Sequence, residues 1–469
     1  MSAQLADRSR SVGSVIQEWH PEDAAFWART GNRIANRNLA ISIPALLLAF
    51  AIWQMFSAVA VSLPQVGFQF DTNQLFWLAA LPALSGATLR IFYSFVVPLF
   101  GGRRWTAIAT ASLLIPAIWL GIAVQDTTTP YWHFVAIAIL CGLGGGNFAS
   151  SMSNISFFYP KAKQGFALGM NAGLGNLGVS ATQFVIPLVI TVGLLGGIVG
   201  GPQLTAEGKA LFLQNAGFVW VPFLLIVAVA AWFGMHDLAA ARSSFAEQAV
   251  IFRRKHNWLM CWLYIGTFGS FIGFSAGFPM LTKTQFPDVN PMAYAFLGPL
   301  VGALMRSLGG WLSDKLGGAL LTFWVFALMI GGVFGVLHFL PDHAGQGGDF
   351  HGFLASFLLL FVLSGIGNAS TFRMIPVIFR TLHERWTANG NAADKAVAAR
   401  QAGIESAAVI GFSSAIGAYG GFFIPKSFGS SIAWTGGPEM ALYGFIVFYA
   451  SCLAVTWWWY YRRGAETPC

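Results

Sequence analysis

Charge is what this chain has least of. Only 9% of its 469 residues are Asp, Glu, Lys or Arg, while 56% are hydrophobic. A soluble domain carries about 25% charged residues, so soluble globular classes are excluded and the chain reads as an all-α membrane protein. Cysteine is sparse too. Cys141, Cys261 and Cys452 lie in apolar runs and Cys469 stands last, with neither metal-ligand spacing nor a disulfide pattern, so no metal and no cofactor is expected. Nucleophile–base pairs, strand-borne glycine loops and an appended catalytic domain are also missing, which argues against an enzyme. The first 37 residues lack the short apolar core of a signal peptide and read as a cytoplasmic tail.

What is present is apolar runs of about 20 residues, enough to cross a bilayer. Twelve occur, the first from 39 to 63 and the eleventh from 402 to 425. The formal net charge of +8 would suit nucleic acid only if it formed a patch, and it does not. Twenty of the 26 Lys and Arg fall in the tail and in alternate loops counted from it, while the opposite loops hold Lys209, Lys283 and Lys426. That asymmetry places both termini in the cytoplasm. Three cations remain inside spans: Arg90, Arg306 and Arg373. The segment 235–257 is polar and joins two sets of six spans. The expected division is a tail over 1–38, a six-helix lobe over 39–234, a cytoplasmic linker over 235–257, a second lobe over 258–461 and a tail over 462–469.

The two sets answer each other. "GATLR" (Gly86 to Arg90) corresponds to "GALMR" (Gly302 to Arg306), which puts both arginines at equivalent positions. "GGGNFASS" (Gly144 to Ser151) corresponds to "GIGNASTF" (Gly365 to Phe372), and "GLGNLGVS" (Gly173 to Ser180) to "AIGAYGGF" (Ala415 to Phe422). "GGWLSDKLGG", Gly309 to Gly318, resembles the loop motif of the major facilitator superfamily, and its counterpart "FGGRRW" lacks the aspartate. Two parallel six-span repeats imply the superfamily's fold: 12 transmembrane helices in two pseudo-symmetric lobes, with a substrate site between them. Asp314 is then expected to help close the cytoplasmic side.

An arginine at membrane depth costs a few kcal/mol on insertion scales. Arg90 lies nine residues before the end of its span, about 13 Å at 1.5 Å per residue, too deep to snorkel with ease. Asp and Glu are confined to loops, tails and span ends, with Glu405 near the start of the eleventh span, so neither Arg90 nor Arg306 has an internal counter-ion. Two such guanidinium groups imply an anion supplied from outside. Their planar donor forks suit a small planar oxyanion with delocalised charge.

Over nearly its whole length the sequence resembles the nitrate/nitrite porters of the major facilitator superfamily, of the NarK type. The resemblance rests on "GFALGMNAGLGNLGVS" (Gly165 to Ser180) and "AAVIGFSSAIGAYGGFFIPKSFG" (Ala407 to Gly429), with "NFASSMSNISFF" and "TFGSFIGFSAGF" in support. It implies that Arg90 and Arg306 clamp the anion, that Asn176 donates a hydrogen bond, and that Tyr264, Phe148 and Phe268 shape the cavity. The glycines Gly169, Gly173, Gly175, Gly417 and Gly421 would permit helix movement. Arg373 departs from the usual pattern and is expected to snorkel or line a gate.

The function expected is exchange of nitrate for nitrite across a bacterial inner membrane by a monomer embedded in the lipid bilayer. No titratable group stands in mid-span to couple a proton. Nitrate/proton symport is the alternative, and a carrier for another small anion is a further one.

Overall fold

The computed structural model describes residues 11–12, 15–94, 96–193, 199–239, 249–342 and 346–469. Among them twelve helices are long and apolar enough to cross a membrane. In chain order they are α1 (Ala24–Ser62), α2 (Thr72–Tyr93), α3 (Gly102–Ala123), α4 (Tyr131–Phe158), α5 (Lys163–Val189) and α6 (Asn215–Gly234), then α7 (Lys255–Gln285), α8 (Pro291–Leu316), α9 (Gly318–Phe339), α10 (Phe350–Trp386), α11 (Ala392–Thr435) and α12 (Glu439–Tyr461). The architecture is all-helical.

Local chemistry marks the helix ends. Asp71 accepts from Gln74 N at 2.8 Å while the Gln74 side chain accepts from Asp71 N at 2.9 Å, a reciprocal box that starts α2. Asn391 and Asp394 start α11 in the same way. Between α8 and α9 the chain turns at Gly317, whose φ of 90° is open to glycine at little cost.

Four helices are interrupted in mid-course: α1 at Gln54, α3 at Leu113, α11 at Tyr419, and α7 by a wider turn over Ile265–Gly269. Such wide turns recur at functional positions.

Boundaries differ from the sequence expectation in three helices. The second ends at Tyr93, three residues beyond Arg90 and not nine, and a short helix, Val96–Phe100, follows it. The first helix begins at Ala24, well before residue 39, because Asp23 caps it through Ala25 N at 2.8 Å. Its early turns then bury Trp27 and Ala35 beside Phe158 and Tyr159 of the α4 end. Ahead of it, Val15 and Ile16 pair in parallel with Asp237 and Leu238, so the start of the chain is tied to the segment leaving α6. The eleventh helix continues through Pro425 to Thr435, which puts Lys426 inside a helix and not in a loop.

The first six and the last six helices each pack as a bundle. They meet where α2 lies against α11, α5 against α8, and the last part of α1 against the last part of α7. On the side away from the chain termini, called here the far face, these seams are hydrogen-bonded. Gln183 Nε2 donates to Ser275 O at 2.6 Å and Ser180 Oγ to Phe296 O at 3.0 Å. On the terminal face the bundles part around a cavity of about 1330 Å³, walled by residues such as Met152 and Phe157 from one bundle and Arg380 and His383 from the other.

Within each bundle the arginine-bearing helix is pressed onto its neighbour by glycine. A Cβ on Gly365 of α10 would stand 2.2 Å from Gly302 O of α8, whereas one on Gly169 would meet nothing within 4 Å. Gly365→Val is therefore expected to cost about 1–3 kcal/mol, the usual range for overpacking against rigid backbone. Gly169→Ala should be neutral or stabilising, because alanine favours helix by about 1 kcal/mol. Thermal unfolding of the two variants in detergent checks the contrast.

Candidate functional site

Arg90 is completely buried, 0% exposed. Its Nε donates to Gly145 O of α4 at 3.0 Å, and its Nη1 donates to Ser414 O of α11 at 2.9 Å. One guanidinium thus joins its own bundle to the other. Its carbon lies 5.2 Å from the Trp53 ring centre, 4.8 Å from that of Phe148 and 5.4 Å from that of Phe268. Aromatic faces carry negative charge density, so they partly replace the water the cation has lost. Nη2 is left buried and unpaired.

Arg306, the repeat-related partner on α8, is only half-buried. Its guanidinium carbon sits 5.4 Å from the Phe372 ring centre, and its Nη1 is buried without a partner. A stack of three rings leads from one arginine to the other. Tyr264 lies between Phe372, at 4.4 Å and 11°, and Phe268, at 5.3 Å and 12°. The Tyr264 hydroxyl is buried beside the Arg306 guanidinium, and that of Arg90 is also within electrostatic reach.

Among the described residues neither arginine forms an ion pair. Glu405, the nearest thing to a mid-span acid, is committed elsewhere: it takes Arg254 through both oxygens at 2.8 Å and lies 3.2 Å from His383 Nε2.

The structure thus brings Arg90, Phe148, Phe268 and Tyr264 together, and Arg306 joins them through Phe372. Asn176 stands on α5 with 0% exposure, and among the described residues neither end of its amide has a hydrogen-bond partner, either arginine included. The glycines divide into two groups. Gly169 and Gly173 have open space beside them, and Gly175 packs on Leu46. Gly417 lets Tyr264 in, since a Cβ there would stand 2.6 Å from the ring. Gly421 is wedged between the bundles, its Cβ position 2.7 Å from Ala83 Cβ and 2.5 Å from Ile272 Cγ2.

Asp314 is away from this centre and pairs with Arg373, Nε to Oδ1 at 2.6 Å. Arg373 therefore faces the loop motif at the terminal face. The counterpart loop has no aspartate of its own, and Asp237 supplies one from beyond α6, accepting from Arg103 N at 2.7 Å.

Trp53, Phe372 and Ser414 were not foreseen. Phe372 closes the repeat "GIGNASTF", where the matched position in the first half is Ser151, so the repeat concealed its aromatic role. Ser414 acts through its backbone carbonyl, which no sequence pattern reports.

Two six-helix bundles that part around a central cavity on one face have the form of a membrane transporter. The sequence matches the Major Facilitator Superfamily over residues 43–391. The xylose transporter XylE of E. coli shares the fold, with a TM-score of 0.63 at 12% identity over 90% of this chain and 99% of that one. The chain is a major facilitator superfamily transporter and not an enzyme.

Within the superfamily it belongs to the nitrate/nitrite porter family. It is 53% identical to the nitrate/nitrite transporter NarU of Escherichia coli K12 over 452 residues, 96% of each chain. It is 42% identical to the probable nitrate/nitrite antiporter NarK2 of Thermus thermophilus, over 97% of this chain and 99% of that one.

Tyr264→Phe keeps the three-ring stack and removes only the buried hydroxyl beside Arg306. The variant is expected to fold and melt as the parent does, and to bind the transported anion about tenfold more weakly, as when one hydrogen bond to a charged group is lost. Titration calorimetry of both proteins checks this.

Proposed function

We propose that the chain exchanges nitrate for nitrite across a bacterial inner membrane by alternating access, with the anion held between Arg90 and Arg306. One observation carries the reading: both guanidinium groups keep a buried N–H without a partner, and among the described residues neither has a carboxylate to neutralise it. The kinship with NarU and NarK2, named respectively a nitrate/nitrite transporter and a probable nitrate/nitrite antiporter, supports it.

The chemistry follows from the residues. Nitrate and nitrite are small, planar and delocalised, so each can take N–H donors in its plane from two forks. Tyr264 and Asn176 bring further donors, and the faces of Phe148 and Phe268 limit the site to a small ion. Without an anion, two uncompensated cations repel each other in a low-dielectric site, and an anion relieves part of that cost. Loaded carriers therefore rock between states more readily than empty ones, which ties uptake of one anion to release of the other.

The lobes 39–234 and 258–461 move about the site, and the linker 235–257 connects them. With the cation-rich face in the cytoplasm, both termini are cytoplasmic and the large cavity belongs to an inward-facing state. Asp314 and Arg373 then act at the cytoplasmic gate, and Gly421 lets the outer seam close. The site is built from a single chain, so a monomer suffices.

Proton-coupled nitrate uptake is the second reading. It is favoured by the buried His383–Glu405 contact beside the cavity, where His383 lines the wall.

Liposomes loaded with nitrite, with nitrate outside, separate the two. One-for-one exchange indifferent to an imposed pH gradient is expected. Nitrate uptake into nitrite-free liposomes driven by an acid exterior would instead establish symport. Arg90→Lys and Arg306→Lys, which keep charge but lose the fork, are each expected to lower exchange by about ten- to a hundredfold.

A further inference from the structure

Lys426 is a cation inside a membrane helix that the anion clamp does not use. Half-buried in the last part of α11, its Nζ donates to Asn73 Oδ1 of α2 at 2.8 Å and to Ser430 Oγ at 2.9 Å. The ammonium lies 4.9 Å from the Trp77 ring centre. Among the described residues it forms no ion pair. Asp71 acts on it only from a distance, one of its oxygens being occupied in capping α2.

Its place in the seam between the bundles is informative. Contacts between α2 and α11 rise in sequence from the clamp toward the far face. Arg90 Nη1 binds Ser414 O, Thr88 Oγ1 meets Tyr419 Oη at 2.8 Å, Trp77 packs on Phe422 at 5.6 Å, and Lys426 on Asn73 comes last. Asn73 and Trp77 also line a recess of about 380 Å³ beside this last contact. Parting of the seam at the far face must break the Lys426–Asn73 bond. It then leaves an unneutralised ammonium at the head of a path that ends at Arg90.

We propose that Lys426 is the far-face gate residue of the anion pathway, latching α11 to Asn73 while that face is closed and receiving the small anion when it opens. This rests on the exchange reading above. A cation at the mouth acts on capture from its own side, by steering and by a weak first contact.

The test is nitrate exchange in membrane vesicles of both orientations. Lys426→Gln is expected to raise the KM for nitrate offered at the far face by about five- to tenfold, and to flatten its dependence on ionic strength. KM at the terminal face should stay within about twofold, and Lys426→Arg should restore most of the far-face loss. Asn73→Ala keeps the ammonium and removes its holdfast. It should leave the far-face KM within about twofold while raising the rate at which an impermeant thiol reagent reaches a cysteine introduced at Trp77.

An unchanged KM, or an equal rise at both faces, would overturn the proposal. Should Lys426→Gln fail to fold, an unaltered labelling rate in Asn73→Ala would do so. Absence of exchange by the unaltered chain at either face would instead overturn the reading beneath it.

Discussion

A guanidinium group fully buried among membrane helices without a carboxylate sets the terms for the rest of this structure. Placing an arginine there costs a few kcal/mol or more, and the fold offsets that cost in pieces. Two backbone carbonyls, Gly145 O and Ser414 O, accept from Arg90, and three aromatic faces surround it. Gly145 is itself a position where a Cβ would collide with the Trp53 indole at 2.6 Å and with Gly86 Cα at 2.9 Å. The small residues of α2 and α4 therefore let the carbonyl and the indole reach the cation together. Because Ser414 belongs to the other bundle, the buried charge of Arg90 is also part of what joins the halves.

The two arginines occupy matched positions in the repeats but not matched surroundings. Arg90 is fully buried and bonded across the seam, whereas Arg306 is half-buried with one ring beneath it. A pseudo-symmetric chain in a conformation open toward one face must break its symmetry somewhere, and here the break falls at the arginine pair. The interruptions in α1, α7 and α11 lie on helices that form the seams, where a change in packing has to be accommodated.

Much of the site was legible because charge is so scarce in this chain. With only 9% charged residues, an arginine within an apolar run stands out, and two at equivalent repeat positions stand out further. The rings were harder to read. Tyr264 and Phe268 share a helix face at a spacing common in ordinary packing, and Phe372 had no aromatic counterpart in the repeat. Lys426 was misplaced for a definite reason: it follows Pro425, and a proline with a lysine after it reads as the end of a span. In the fold the helix tolerates both, because Asn73 and Ser430 satisfy the ammonium.

The sequence by itself determined the helical membrane class, the twelve candidate spans and the presence of an arginine within the second and the eighth of them. These depend on local composition: a run of about 20 apolar residues must bury its backbone polar groups in helix wherever it lies in lipid. Only the tertiary structure decided which carbonyls hold Arg90, which rings connect it to Arg306, where Glu405 spends its charge and what Lys426 bridges. Those are contacts between residues as much as 353 positions apart, made by backbone atoms and by the close approach of glycine surfaces, and neither is written in residue type.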